Sequence, residues 1–321
     1  MALYLTERDV EHLLSMSEAV SALDAAFQRQ ADGKVINRSR RRLHLPEGTY
    51  HTMAAADLGL NRFAIKAYAS FRPKTRFLVL LYSGQNGDLL AMIEGDRLGQ
   101  MRTGAASGVA THYMANGGRP LRVGIFGTGW QAQSQLEAIH ALREVEHIVA
   151  YGRDAARREA FCHTMSERLS IIVSPAANPE EAAREQDVVV TATTARDPVL
   201  LGEWLSPGTH INAAGSNMLM KRELDDTAIQ RSSVIVVDSI EQSKQESGDL
   251  LPAYERRLFR WEQVLELSDI VSGRRPGRTA EEQITLFKSN GIAMEDVAVA
   301  ELVYRKALEA KIGIELPMWA E

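Results

Sequence analysis

The stretch LRVGIFGTGWQAQSQLE, from Leu121 to Glu137, constrains the fold more than any other part of the chain. Leu121 to Phe126 is a short apolar run without helical spacing, the mark of a buried strand. Gly127, Gly129 and Ala132 follow in the spacing G-x-G-x-x-A, and Gln133 onward reads as a helix. At such a junction Gly127 permits a tight turn and Gly129 lets the backbone approach a pyrophosphate. Ala132 lets the helix pack close on the strand. The free N–H groups and the positive dipole end of that helix would hold the phosphates. The strand–turn–helix setting makes Gly127, Thr128, Gly129, Gln131 and Ala132 candidate cofactor-binding residues.

The segments after the turn repeat the pattern. His147 to Ala150 reads as a second strand, ending at Tyr151-Gly152-Arg153-Asp154. In NAD-binding sheets an acid near this tip accepts the ribose 2′-hydroxyl, whereas an arginine favours the 2′-phosphate of NADP. Arg153 stands at the tip, with Arg157 and Arg158 one turn on, so NADP is the preferred cofactor; Asp154 keeps NAD open. Asp187 to Thr194 is a further buried strand whose polar end, Thr191 and Thr193, would face the cofactor. His210 to Gly215 and Ser233 to Asp238 are two more, and Ser216 and Asn217 fall at a carboxyl end. Buried strands alternating with helical segments argue for a doubly wound parallel sheet with its ligand crevice at those ends.

The N-terminal part has a different texture. Thr6 and Ser17 look like helix caps, and Val20, Leu23 and Phe27 recur at helical spacing before Gly33. In VINRSRRRLHL, Arg38, Arg40 and Arg42 alternate, so a strand there would put them on one face with Arg41 on the other. They either blunt a solvated sheet edge or include a guanidinium that forks onto a substrate carboxylate. Lys66 sits inside the apolar strand NRFAIKAYAS, as a snorkelling edge residue or as a buried functional ammonium. FLVLLY (77–82) and LLAMIE (89–94) are strands joined by the turn-forming SGQNGD. Helices followed by a largely antiparallel sheet result. Met101 opens a further helix running to about Ala115. Arg102 at its start is misplaced for the helix dipole, so it either answers an anion or makes a surface ion pair. Glu241 to Asp249 and Arg274 to Arg278 are polar and exposed by default. Ile284 to Val297 leads into a last helix with Val299, Leu302 and Val303 on one face. With no linker before it, that helix is expected to pack on the N-terminal domain.

The expected architecture is therefore α/β: a Rossmann-type doubly wound parallel sheet (118–291) inserted in a second, α+β domain built from both termini (1–117 and 292–321). A length of 321 residues suits two domains. The net charge of −5 gives no basic footprint for nucleic acid. Cys162 is the single cysteine, which excludes an internal disulfide and a CxxC metal site and fits a cytoplasmic protein. No apolar stretch approaches the roughly 20 residues that span a bilayer. No metal site and no membrane partner are expected.

Several separate motifs resemble the ornithine cyclodeaminase/mu-crystallin family: RTGAASGVAT (102–111), VGIFGTGWQA (123–132), HINAAGSN (210–217), VVDSIEQSKQESGDLL (236–251) and FKSNGIAMEDVA (287–298). The resemblance implies a homodimer formed through the split terminal domain, and a nicotinamide dinucleotide that serves cyclodeamination or plain hydride transfer. It implies that Arg38 holds a substrate carboxylate, that Lys66 lies beside the reacting carbon, and that Arg102 sits between substrate and cofactor phosphates. It places Ser289 near the nicotinamide. Two departures set this chain apart. Cyclodeaminases carry an aspartate in G-x-D, where this chain has Gly215-Ser216-Asn217, and a glutamate where it has Met53. Asn217 cannot take a proton. The resemblance thus implies an NADP-preferring imine (ketimine) reductase or amino-acid dehydrogenase acting on a small carboxylate-bearing substrate, with Lys66 and Arg102 catalytic and Arg38, Met53 and Asn217 at the substrate. A cyclodeaminase using another base, and a crystallin-like NADPH-dependent ligand-binding protein, are the alternatives.

Overall fold

The computed structural model describes residues 2–71 and 74–318. Its elements begin with β1 (Ala2–Leu5), α1 (Glu7–Leu13), α2 (Met16–Ala31), β2 (Val35–Leu45), β3 (Gly48–Asp57) and β4 (Arg62–Phe71). β5 (Lys74–Ser83), β6 (Leu89–Glu94) and α3 (Asp96–Met114) follow. Next come β7 (Leu121–Phe126), α4 (Trp130–Leu142), β8 (Val145–Tyr151), α5 (Ala155–Leu169), β9 (Val173–Pro175), β10 (Val188–Thr191) and β11 (His210–Ala213). The chain continues through α6 (Asp226–Arg231), β12 (Ser232–Val237), α7 (Ile240–Glu246), α8 (Leu250–Glu255), β13 (Leu265–Glu266) and α9 (Leu267–Val271). β14 (Ile284–Lys288), α10 (Ala293–Ala310) and β15 (Ile314–Leu316) complete it.

Two compact units result, one of residues up to Arg102 together with those from Ile292 on, the other of Thr103 to Gly291. The first carries a 7-stranded sheet in the order β15-β1-β6-β5-β4-β3-β2. All its pairings are antiparallel except β1 with β6, and the turn at Ser83–Asp88 joins β5 to β6 as a hairpin. α10 lies on the buried face of this sheet, against β2, β3 and β4, and also packs on α2. Its start is fixed from outside: Asn37 Oδ1 accepts the Met294 N–H at 3.1 Å, doing the work of a cap that the N-cap residue Ile292 cannot do.

The second unit holds an 8-stranded, wholly parallel sheet in the order β13-β12-β14-β11-β10-β7-β8-β9. Strand order reverses between β7 and β10, the switch point at which ligands bind in such sheets. Both faces are covered. Val188 and Val190 of β10 enter the core shared with Leu136, Ile139 and Met165, while Val189 enters the core of Leu200, Leu224 and Trp261. Alternate residues of one strand thus feed two cores, which is why the strand reads as continuously apolar.

Three local expectations are corrected. α3 begins at Asp96 rather than Met101, because the Glu7 carboxylate accepts the N–H groups of Asp96 and Arg97 at 2.6 and 2.8 Å. Arg102 is therefore inside the helix. From Thr103 on, α3 packs on α4: Gln135 donates to the Thr103 carbonyl at 3.2 Å, and a side chain at Gly104 or Gly108 would strike the Ser134 or Ala138 backbone. Ser15, not Ser17, caps α2, since its hydroxyl meets the Glu18 N–H in a capping box. The polar segment 241–249 is largely buried: Gln242, Ser243, Ser247 and Asp249 are all solvent-inaccessible. Gln242 donates to Glu246 and to the Gly291 carbonyl, Asn290 donates to Ser243, and Asp249 pairs with Lys288. Partners distant in sequence make this burial tolerable.

Candidate functional site

In the first unit, the buried face of the sheet carries a cluster of charge. Lys66 of β4 is 3% exposed, and its Nζ donates to Asp296 Oδ1 at 2.8 Å. Arg102 donates through Nη1 to Glu295 Oε2 at 2.6 Å, and its Nε lies 3.3 Å from Asp296 Oδ1. Glu295 and Asp296 are consecutive in the first turn of α10; Glu295 pairs with Arg102, and Asp296 lies between Lys66 and Arg102. Gly99 makes room: a side chain there would come within 2.7 Å of Lys66 Nζ. The Phe77 ring lies 5.4 Å from the ammonium. Burial lowers the Lys66 pKa from its ordinary value, with Arg102 and Arg40 adding to the fall and Asp296 opposing it. Lys66 is thus a buried ammonium, not a snorkelling edge residue.

Met53 is paired with Lys66 across β3 and β4 and is 2% exposed. The next row on that face is Arg42, His51, Tyr68 and Phe77, with the His51 and Tyr68 rings stacked at 4.2 Å. His51 is pushed down to about 4 by burial and by the charges of Arg42 and Arg40.

The arginines of β2 do not share one face as strict alternation would have it. The register slips by one residue between Arg38, opposite Ala54, and Arg41, opposite Thr52. This bulge puts Arg38 and Arg41 on the outer face of the sheet and leaves Arg40 and Arg42 on the side of His51 and Met53. Arg40 is 6% exposed, whereas Arg38 is exposed. The structure therefore brings Lys66, Arg102, Met53 and Arg40 together and turns Arg38 away from them.

In the second unit, the glycine turn stands at the carboxyl end of β7. Gly127 has φ +112°, a conformation closed to most side chains, and a Cβ there would meet the Ala192 carbonyl at 2.4 Å. Gly129 caps α4 without any side-chain bond, and the space where its Cβ would stand is open to 4 Å. Ala132 is buried, Gln131 is half-buried, and Thr128 lies over Gly152 at the tip of β8. A helix start at a glycine that leaves its side-chain space free fits a pyrophosphate. At that tip Arg153 is exposed, and Arg158 donates to the Gly152 carbonyl at 2.7 Å over the Tyr151 ring. Asp154 is occupied as the N-cap of α5, accepting the Arg157 N–H at 3.0 Å.

The other candidates of this unit collect around buried carboxylates. Thr191 and Thr193, expected at the cofactor, give their hydroxyls to Glu223 at 3.0 and 2.8 Å. Glu223 also accepts the Thr193 and Gly215 N–H groups, tying the ends of β10 and β11 together. Ser216 donates to the Lys221 carbonyl, its own carbonyl accepts from Lys288 at 2.6 Å, and Asn217 is half-buried beside it. Ser289 donates to Asp238, which also accepts the Asn290 and Gly291 N–H groups. Lys288 lies 3.1 Å from Asp249, and all three of Lys288, Asp249 and Glu223 are fully buried.

Glu295, Asp296, Glu223 and Lys288 carry this geometry, and sequence reasoning passed over them. Acids in a first helical turn read as dipole partners. The available signal was an adjacent acid pair inside the otherwise apolar GIAMEDVAVA. Among the described residues no group of His, Cys, Asp and Glu is arranged to hold a metal ion, and no helix is long and apolar enough to cross a membrane.

Comparison with known proteins matches the geometry to known relatives. The profile of the ornithine cyclodeaminase/mu-crystallin family matches residues 2–311. An alanine dehydrogenase of Archaeoglobus fulgidus is 34% identical, over 98% of each chain. The solved structure of Thermococcus litoralis Δ1-pyrroline-2-carboxylate reductase, in complex with NADH and L-proline, superposes with a TM-score of 0.93 at 34% identity, covering 98% of this chain and 100% of the other. An archaeal alanine dehydrogenase dimer with bound NAD gives a TM-score of 0.93 at 33% identity over 99% of both chains.

Proposed function

The chain belongs to the ornithine cyclodeaminase/mu-crystallin family, and on that premise we propose that it is a nicotinamide-dependent oxidoreductase that reduces the C=N bond of a small carboxylate-bearing imine, or oxidises the matching amino acid in reverse. One observation carries the reading: Lys66 is buried on the same sheet face as Arg40, paired to Asp296 and opposite Met53. Two guanidiniums and an ammonium on one face suit a carboxylate beside a reacting carbon. Met53 and Asn217 leave no carboxylate at the two positions where a deaminating member carries one, which favours reduction over cyclodeamination.

When bound, the dinucleotide supplies hydride. The protein's own groups do the rest. Arg40, in the place first assigned to Arg38, holds the substrate carboxylate and so orients the electrophilic carbon. Lys66 donates a proton to the nitrogen of the C=N bond. Arg102, fixed by Glu295, neutralises the anionic substrate. Gly127, Gly129 and the start of α4 hold the pyrophosphate. Arg153 and Arg158, with Asp154 committed as a cap, favour the 2′-phosphate of NADP over NAD.

We assign the enzyme to the cytoplasm, in keeping with its single, buried cysteine, and to a homodimer. The outer face of the first sheet supports the dimer. Ile36, Leu43 and Leu45 of β2 and Ile65 and Phe71 of β4 are between 36% and 64% exposed there, on the face opposite Met53 and Lys66. The test is spectrophotometric: oxidation of NADPH and of NADH against cyclic imine carboxylates and against 2-oxo acids with ammonia. Steady turnover of an imine supports the reading. Ammonia and proline from ornithine with catalytic NAD overturns it, and binding without turnover would make the protein a ligand carrier.

A further inference from the structure

We propose that Asp296 is a positioning residue for the reduction, holding the Lys66 ammonium at the substrate. The inference rests on the reductase reading. Its geometry is independent of that reading. Lys66 Nζ and Asp296 Oδ1 are 2.8 Å apart, with side chains 2% and 1% exposed.

Among the described residues, the two guanidiniums facing Lys66 work against its charge. β2 presents Arg40 and α3 presents Arg102, both cationic. β3 presents Met53, and β5 presents Val79 beside it and the Phe77 ring at 5.4 Å. α10 presents Asp296, while its neighbour Glu295 is taken by Arg102. Burial, which disfavours the ammonium, acts in the same direction as the two guanidiniums. Asp296 is the acid that holds the proton on Lys66 against all of them. It also spans two cations, since Oδ1 lies 3.3 Å from Arg102 Nε. One carboxylate thereby fixes the separation of the proton donor and the guanidinium that meets the substrate.

The chemistry requires such a hold. In reduction of C=N, a C–H bond forms at carbon with the electron pair of the transferred hydride. The π pair of the C=N bond becomes an N–H bond with a proton from Lys66 Nζ, where an N–H bond breaks. Lys66 is left as a neutral amine and regains its proton from solvent. A lysine already neutral at pH 7 has no proton to give. In the oxidative direction the same pair must release the proton, so the setting of Lys66 fixes the pH at which each direction runs.

The experiment compares wild type, Asp296→Asn and Asp296→Glu in full-length protein, with NADPH and a cyclic imine carboxylate. It is read as kcat/KM against pH and as the titration of the Lys66 13Cε resonance in lysine-labelled protein, assigned by Lys66→Arg. Asp296→Asn should move the alkaline limb and the resonance midpoint down together, by about one to three pH units. Asp296→Glu should return both most of the way, and it serves as the folded comparison if the Asn variant is unstable. A uniform loss of rate with limb and midpoint unmoved overturns the proposal. A midpoint that moves in Asp296→Asn while the wild type turns over no imine overturns the reductase reading, and with it the role in reduction, while leaving the pairing of Asp296 with Lys66 intact.

Discussion

Met53 lies directly opposite Lys66 across β3 and β4, on the buried face of the first sheet. The pairing puts the one uncharged member of the cluster where a second carboxylate would compete with the substrate for the ammonium. Met53→Glu should therefore raise KM for an imine carboxylate about tenfold or more and move the alkaline limb of kcat/KM upward, since a second acid holds the proton more tightly. Initial rates across pH 6–10 check this. A KM within twofold of wild type would remove Met53 from the substrate site.

The bulge in β2 separates arginines that the sequence groups together. Arg40 faces Lys66 and Arg38 faces outward. Losing a buried guanidinium that meets a carboxylate costs about 2 kcal/mol or more, some thirtyfold in KM. Arg40→Ala should show that loss, while Arg38→Ala should stay within about twofold. The reverse order of effects would restore Arg38 as the carboxylate partner that the family resemblance implies.

At the tip of β8, Arg153 is exposed and Arg158 is held over Tyr151 by the Gly152 carbonyl. If Arg153 meets the 2′-phosphate, Arg153→Ala should weaken NADPH about tenfold and leave NADH nearly unchanged, because only the former carries the extra charge. Fluorescence titration with both nucleotides gives the ratio. An unchanged NADPH-to-NADH ratio would remove Arg153 from the 2′-phosphate.

Much of this was legible along the chain. The glycine turn, the alternation of buried strands and the β5–β6 hairpin are each written within a short window, where period and turn chemistry decide. What escaped depends on partners far away in sequence. A single-residue slip between Arg38 and Arg41 parts Arg38 from Arg40 and Arg42, and nothing in NRSRRRL announces it. The start of α3 is set by Glu7, roughly a quarter of the chain upstream. The polar run 241–249 is buried because Lys288, Asn290 and the Gly291 carbonyl come to meet it.

His210 adds a pH dependence to the second unit. It is fully buried between Thr285 at 2.9 Å and Asn212 at 3.2 Å, and its pKa falls from 6.5 to about 3, chiefly through burial and then through Arg278. The unfolded chain binds a proton near pH 6.5 that the folded chain refuses. Stability is complete above that pH and falls as pH drops from 6.5 toward 3, by as much as several kcal/mol. Urea unfolding from pH 7 to pH 4 should show the decline, and His210→Gln should flatten it. An equal slope in the variant would assign the acid sensitivity to other groups.

Lys288 gives the most severe stability prediction. Its ammonium is solvent-inaccessible, 3.1 Å from Asp249 and bonded to the Ala213 and Ser216 carbonyls. Glu223, already raised by burial and by Asp249, is drawn down by the same ammonium. Lys288→Met leaves two carboxylates buried without their counter-charge, a loss of about 3–5 kcal/mol by the measure of broken buried pairs. The loss should shrink as pH falls, because protonating Glu223, whose pKa burial and Asp249 already raise, relieves the repulsion. Adding Asp249→Asn to Lys288→Met should recover part of it, giving a double variant more stable than the single. Chemical denaturation of the three proteins decides: strictly additive losses would show that Lys288 supports the ends of β11 and β14 by packing and carbonyl bonds, with no share in the charge balance.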